Sequence, residues 1–137
     1  MTKKILSALL FVLILYSCNA NKRENPSTAI GAGSSFIRAT LDGDFNVAET
    51  LILKDTEDLQ LFDSYKIYYD RLPAEKKKNY KAANYKINKY VDVNDSTTII
   101  NYSNDYMNKP MEIKVVRNNN EWKVDFKYTY SGDSPID

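Results

Sequence analysis

The chain has 137 residues, with 19 basic and 18 acidic side chains, no histidine and a single cysteine, Cys18. The absence of histidine removes the commonest general base and the commonest metal ligand, and with them any Ser-His-Asp triad or Cys/His metal set. A near-neutral balance gives no electrostatic footprint for nucleic acid, and one cysteine leaves no internal disulfide to support the core.

The first element in chain order is a leader. Lys3 and Lys4 precede an almost unbroken apolar run over residues 5–16, followed by small Ser17 and then Cys18. Charged start, short apolar run and small-residue cleavage site are the parts of a secretory signal. Twelve residues fall short of the roughly 20 that a membrane-spanning helix needs. Leu15, Tyr16, Ser17 and Cys18 resemble a bacterial lipoprotein signal, in which the cysteine becomes the first residue and carries the lipid. Ordinary secretory cleavage nearby is the alternative. The resemblance implies a signal peptide over 1–17, lipidation at Cys18, and residence in the cell envelope. Cleavage removes Lys3 and Lys4 and leaves 17 basic against 18 acidic groups, a net charge of −1.

Residues 18–27 are polar and contain Pro26, which suits a short tether holding a domain off the membrane. Lipoproteins sorted to the cell surface carry acidic pairs after the cysteine. Asn19, Ala20, Asn21, Lys22 and Arg23 supply none, so the resemblance implies an outer-membrane anchor facing the periplasm.

The domain, residues 28–130, opens with helical spacing in Ala29, Ala32, Phe36, Ile37, Thr40 and Leu41, entered through Pro26, Ser27 and Thr28. Gly31 and Gly33 count against it, at about 1 kcal/mol each relative to alanine. Gly43 is placed to end this helix in the left-handed conformation, and Asp44 to cap a second, short one with apolar face Phe45, Val47, Ala48, Leu51 and Ile52. A third helix follows with the stripe Phe62, Tyr65, Tyr69 and Leu72, opened by Glu57 and Asp58 and broken at Pro73. The basic run Lys76, Lys77, Lys78 and Lys81 reads as a solvated helix end.

From Asn84 onward the period changes to two. Tyr85, Ile87, Val91 and Val93 alternate with Lys86, Asn88 and Asp92. Thr98, Ile100, Tyr102 and Tyr106 form a second inward set, and Met111, Ile113 and Val115 a third. Turn clusters fall at Asn94–Asp95–Ser96, Asn108–Lys109–Pro110 and Asn118–Asn119–Asn120. The last strand reads Trp122, Val124, Phe126, Tyr128 and Tyr130 inward, with Asp125 outward, leaving 131–137 as a tail. The expected fold is α+β: N-terminal helices packed on a curved, cone-like, four-stranded antiparallel meander.

The helix end and corner (Phe36, Ala39, Leu41, Gly43, Asp44, Phe45, Ala48) and the closing hairpin (Lys114 to Arg117, then Asn119 to Val124) resemble the nuclear-transport-factor-2-like, or cystatin-like, superfamily in its small bacterial lipoprotein branch. The resemblance implies a pocket between helices and sheet. Enzymes of that superfamily place a carboxylate, a histidine or a polarising tyrosine pair there. The inward sets here carry no acid. Asp92, Asp105, Glu112 and Asp125 fall outward, and Asp63 and Asp70 lie off the third helix's stripe.

The expectation is therefore a non-catalytic binding module without cofactor, metal or nucleic acid. Tyr65, Tyr69, Tyr102, Tyr106, Trp122, Phe126 and Tyr128 are the candidate lining for a small apolar ligand, since phenol hydroxyls in apolar walls orient amphipathic molecules. The plainer reading makes them core residues. The alternatives are an envelope protein partner, for which Tyr90 and Val116 are the exposed apolar candidates, and an isomerase- or dehydratase-like enzyme.

Overall fold

A computed structural model of the chain describes residues 25–132. Cys18, the leader and most of the tether lie outside the described residues. Helix α1 spans Ala29–Asp42, α2 Phe45–Thr50, α3 Thr56–Asp70 and α4 Ala74–Ala82. Strands β1 (Tyr85–Asn94), β2 (Thr97–Asn104), β3 (Pro110–Asn118) and β4 (Glu121–Asp125) follow, and helix α5 (Phe126–Gly132) ends the described chain. The strands form one antiparallel meander in the order β1-β2-β3-β4, curled but not closed, with helices packed on it.

Local chemistry sets the helix ends. Thr28 caps α1 by accepting from the Gly31 N–H, and Asp44 caps α2 by accepting from Val47. Gly43 ends α1 at φ 71°, and its N–H and that of Asp44 close on the Thr40 and Ala39 carbonyls. Asp55, two residues ahead of the acidic pair Glu57 and Asp58 in the first turn, caps α3 by accepting from the Asp58 N–H. Pro73 separates α3 from α4. No residue of α4 is buried, and Lys77 reaches back to the Asp70 carbonyl at 2.9 Å. The basic run is thus a solvated surface that closes the end of α3.

Gly33 has a use that helix propensity does not show. A β-carbon there would collide with Ile100 Cδ1 and stand 3.1 Å from Ile113 Cδ1. The missing side chain lets α1 lie directly on β2 and β3. Phe36, Ile37, Phe62, Ile100, Ile113, Val115, Val124 and Phe126 fill the core on that face. In β2, Thr98, Ile100, Tyr102 and Asn104 are all buried, the period-two pattern of a half-covered strand. Asn119 and Asn120, both at positive φ, turn β3 into β4.

Three expectations need correction. First, β1 does not hold one alternation. Its register shifts between Ile87 and Lys89 and again between Asp92 and Asn94, and each shift exchanges the faces of the residues beyond it. Val91 and Val93, expected inward, are 57% and 59% exposed.

Second, β2 stops at Asn104. Tyr106 lies in the turn that follows, where Asn104 Oδ1 accepts from the N–H groups of Tyr106 and Met107 at 3.1 and 2.9 Å.

Third, β4 ends at Asp125, and Phe126–Gly132 is helical. Tyr128 is therefore exposed, and Asp125, expected outward, is buried. The cause is Asp58 on α3. Its buried carboxylate accepts the Lys127 backbone N–H at 2.6 Å, satisfying from 69 residues away a donor in the first turn of α5.

Candidate functional site

A cavity lies between the helices and the inner face of the sheet. Phe36, Ile37, Thr40 and Leu41 of α1 form one wall, and Tyr65, Tyr68 and Tyr69 of α3 with Leu72 form another. Tyr80 of α4, Tyr102 and Asn104 of β2, Met107, Met111 of β3 and Thr129 of α5 complete it. The space open to the centre of a water-sized sphere is about 50 Å³. One water needs roughly 10–15 Å³ on that measure. The cavity therefore suits a few heavy atoms or the end of a chain, not a drug-sized molecule.

Helical spacing puts Tyr65, Tyr68, Tyr69 and Leu72 on one side of α3 and just beyond its end, and period two puts Tyr102 and Asn104 on one side of β2. Behind them, Phe45 packs edge-on against Phe62, Tyr65 and Tyr69 at 5.9, 5.6 and 4.8 Å between ring centres. Phe126 does the same against Phe62 at 5.2 Å and lies 5.8 Å from Tyr65. Burial raises the pKa of the Tyr65, Tyr69, Tyr80 and Tyr102 phenols, with neighbouring tyrosines adding to it at Tyr65 and Tyr80 and acidic residues at Tyr69. These four phenols therefore stay protonated and neutral at physiological pH.

Of the seven aromatic candidates, Tyr65, Tyr69 and Tyr102 come together on the cavity. Tyr106 stacks edge-on with the lining residue Tyr80 at 4.8 Å, and Phe126 sits behind Tyr65 in the core. Trp122 and Tyr128 lie elsewhere. Trp122 pairs across the closing hairpin with Arg117, whose guanidinium stands 6.0 Å from its ring. Tyr128 donates to Glu112 at 3.3 Å on the surface. Tyr68, Tyr80, Asn104 and Thr129 were not singled out by the sequence. The continued alternation of β2 was the available signal for Asn104. Thr129 was hidden because β4 was expected to continue.

A buried carboxylate exists, but away from the cavity. Asp58 is fully enclosed, and burial raises its pKa against the opposing pull of the Lys127 N–H and ammonium. The Lys127 ammonium lies 3.0, 3.4 and 3.2 Å from Asp55, Asp58 and Asp125. Lys114 reaches Asp125 at 3.2 Å. This network ties α5 to α3 and β4. Asp63 and Asp70 are exposed. Among the described residues no group of His, Cys, Asp or Glu is arranged to hold a metal ion, and no helix is long and apolar enough to cross a membrane.

No protein-family model, curated protein or solved structure matches this chain significantly.

Proposed function

We propose that the chain is a lipid-anchored envelope protein whose domain binds a small apolar ligand without transforming it. The observation that carries the binding reading is the cavity bounded by Phe36, Leu41, Tyr65, Tyr69, Tyr102 and Met111. It is apolar, enclosed by helices on one side and sheet on the other, and has no carboxylate or amine in its walls. General acid-base work needs a titratable group that reaches the bound molecule. Asp58, the enclosed carboxylate, is engaged with Lys127 instead. Helices followed by a curled antiparallel meander also support kinship with the nuclear-transport-factor-2-like superfamily.

The anchor reading rests on the charged, apolar and small-residue blocks that end at Cys18. Anchorage at the outer membrane, facing the periplasm, follows from the same stretch and its non-acidic continuation. Cys18→Ser should abolish acylation and release or stall the protein. Unchanged membrane fractionation, or acyl chains elsewhere, would overturn it. Native mass spectrometry of protein purified from its own host's envelope tests the binding reading. A co-purifying small molecule is expected, and a bare mass counts against it.

A second reading has its own observation. Residues 51–53 cover β4 on its free side through the Val124–Leu51 and Leu53–Val124 hydrogen bonds, whereas β1 is the uncovered edge, with Tyr90, Val91 and Val93 more than half exposed. Such an edge suits an envelope protein partner that adds a strand. A photocrosslinker at Val91 should then give a defined adduct that Val93→Lys removes. Crosslinking indifferent to that change would reject the partner surface.

A further inference from the structure

We infer that the cavity selects a neutral ligand that presents a hydrogen-bond acceptor, of the ketone, ester or amide class, on its buried apolar end. The inference rests on the binding reading above and adds the chemistry of the ligand.

Two polar atoms carry it. Asn104 is 4% exposed, and its Nδ2 is buried without a hydrogen-bond partner. The orientation of its amide is fixed, because Oδ1 accepts from the Tyr106 and Met107 N–H groups. The NH2 end is therefore the free end, on the side of β2 shared by Tyr102. Thr129, which also lines the cavity, has its Oγ1 buried without a hydrogen-bond partner. Leaving a buried donor unmet costs about 1–3 kcal/mol. Two unmet polar atoms on residues that line one apolar space are open to a partner that enters it.

The charge of the lining decides which acceptor. No Asp, Glu, Lys or Arg lines the cavity. An entering carboxylate or ammonium would lose its hydration with no opposite charge to meet it. Burial keeps the Tyr65 and Tyr102 phenols protonated, so they too offer no anion. A pure hydrocarbon would leave Asn104 and Thr129 unmet. A carbonyl can accept from either and brings no charge.

The test is calorimetric titration of the full chain bearing Cys18→Ser, so that no acyl chain competes, with pentyl methyl ketone, heptane, heptanoate and heptylamine. The ketone is expected to bind tightest, about tenfold above heptane, the factor that one net hydrogen bond gives. Thr129→Val and Asn104→Asp should each remove most of that preference. The first keeps the shape of the side chain, and the second keeps the acceptor that holds Tyr106 and Met107. Equal affinity for ketone and heptane, or a preference untouched by both substitutions, would overturn the acceptor assignment while leaving an apolar pocket. Tightest binding of heptanoate or heptylamine would overturn the charge argument. Binding of none of the four would overturn the pocket itself.

Discussion

The backbone N–H of Lys127 donates to Asp58 Oδ1 across 2.6 Å, and the Lys127 ammonium lies 3.4 Å from the other oxygen of the same carboxylate. One buried side chain on α3 thus starts α5 and turns the chain out of the sheet. Asp58→Ala should lower stability by about 1–3 kcal/mol, the cost of stranding a buried donor. Asp58→Asn, which keeps an acceptor oxygen, should recover part of the loss. Urea unfolding measures both, and hydrogen exchange at Lys127 should rise in the alanine variant before the core strands exchange.

Asp55 and Asp58 respond to pH in opposite senses. The Asp58 N–H and the Lys127 ammonium hold Asp55 below its ordinary value of 3.8. Its folded-state pKa is depressed, so its contribution is complete above pH 3.8 and fades as pH falls through the folded value. Asp58, raised by burial, contributes instead at low pH and loses that contribution as pH rises through its folded value. Asn at position 55 keeps a cap but no charge. The stability gap between wild type and Asp55→Asn should therefore be widest near neutrality and shrink below pH 3.8. A gap that widens in acid would refute the assignment.

Gly33→Ala sets two effects against each other. Helix propensity favours alanine by about 1 kcal/mol. Forcing a methyl group against Ile100 and Ile113 costs typically 1–3 kcal/mol in a packed core. The neighbours are buried side chains of two strands, so the clash should win and the melting temperature should fall. Pairing the substitution with Ile100→Val should restore part of the loss.

Gly43 sits at φ 71°, and a β-carbon there would stand 2.5 Å from the Tyr69 hydroxyl oxygen. Gly43→Ala should cost about 1–2 kcal/mol from the left-handed backbone alone, with the Tyr69 contact added. Tyr69→Phe should relieve part of the added cost and none of the backbone cost, since the ring carbons Cζ and Cε1 remain at 2.9 and 3.1 Å. Thermal unfolding of the two single variants and the double variant separates them, and strict additivity would exclude the contact.

The helices were legible because their signals are local. Thr28, Gly43, Asp44 and Pro73 act on backbone within a turn of themselves. The strand order and inward faces of β2 and β3 were legible for a similar reason, since period two needs only one buried side. The end of β4 was not. Trp122 to Tyr130 alternate as cleanly as any strand, yet a carboxylate 69 residues away captures the Lys127 N–H. The bulges in β1 were hidden likewise, because register belongs to the pairing and not to either strand. Part of the site followed these limits. Tyr65, Tyr69 and Tyr102 came from intact periodicities. Tyr128 was misplaced and Thr129 missed where the chain turns helical.

The most direct test of the binding reading uses the methionine methyl groups as reporters. Met107 and Met111 line the cavity. Titrating pentyl methyl ketone into the full Cys18→Ser chain and recording the methionine methyl NMR signals should give saturable shifts at Met107 and Met111. Signals from Met107 and Met111 that stay fixed up to saturating ketone would contradict the account and leave the tyrosines as core.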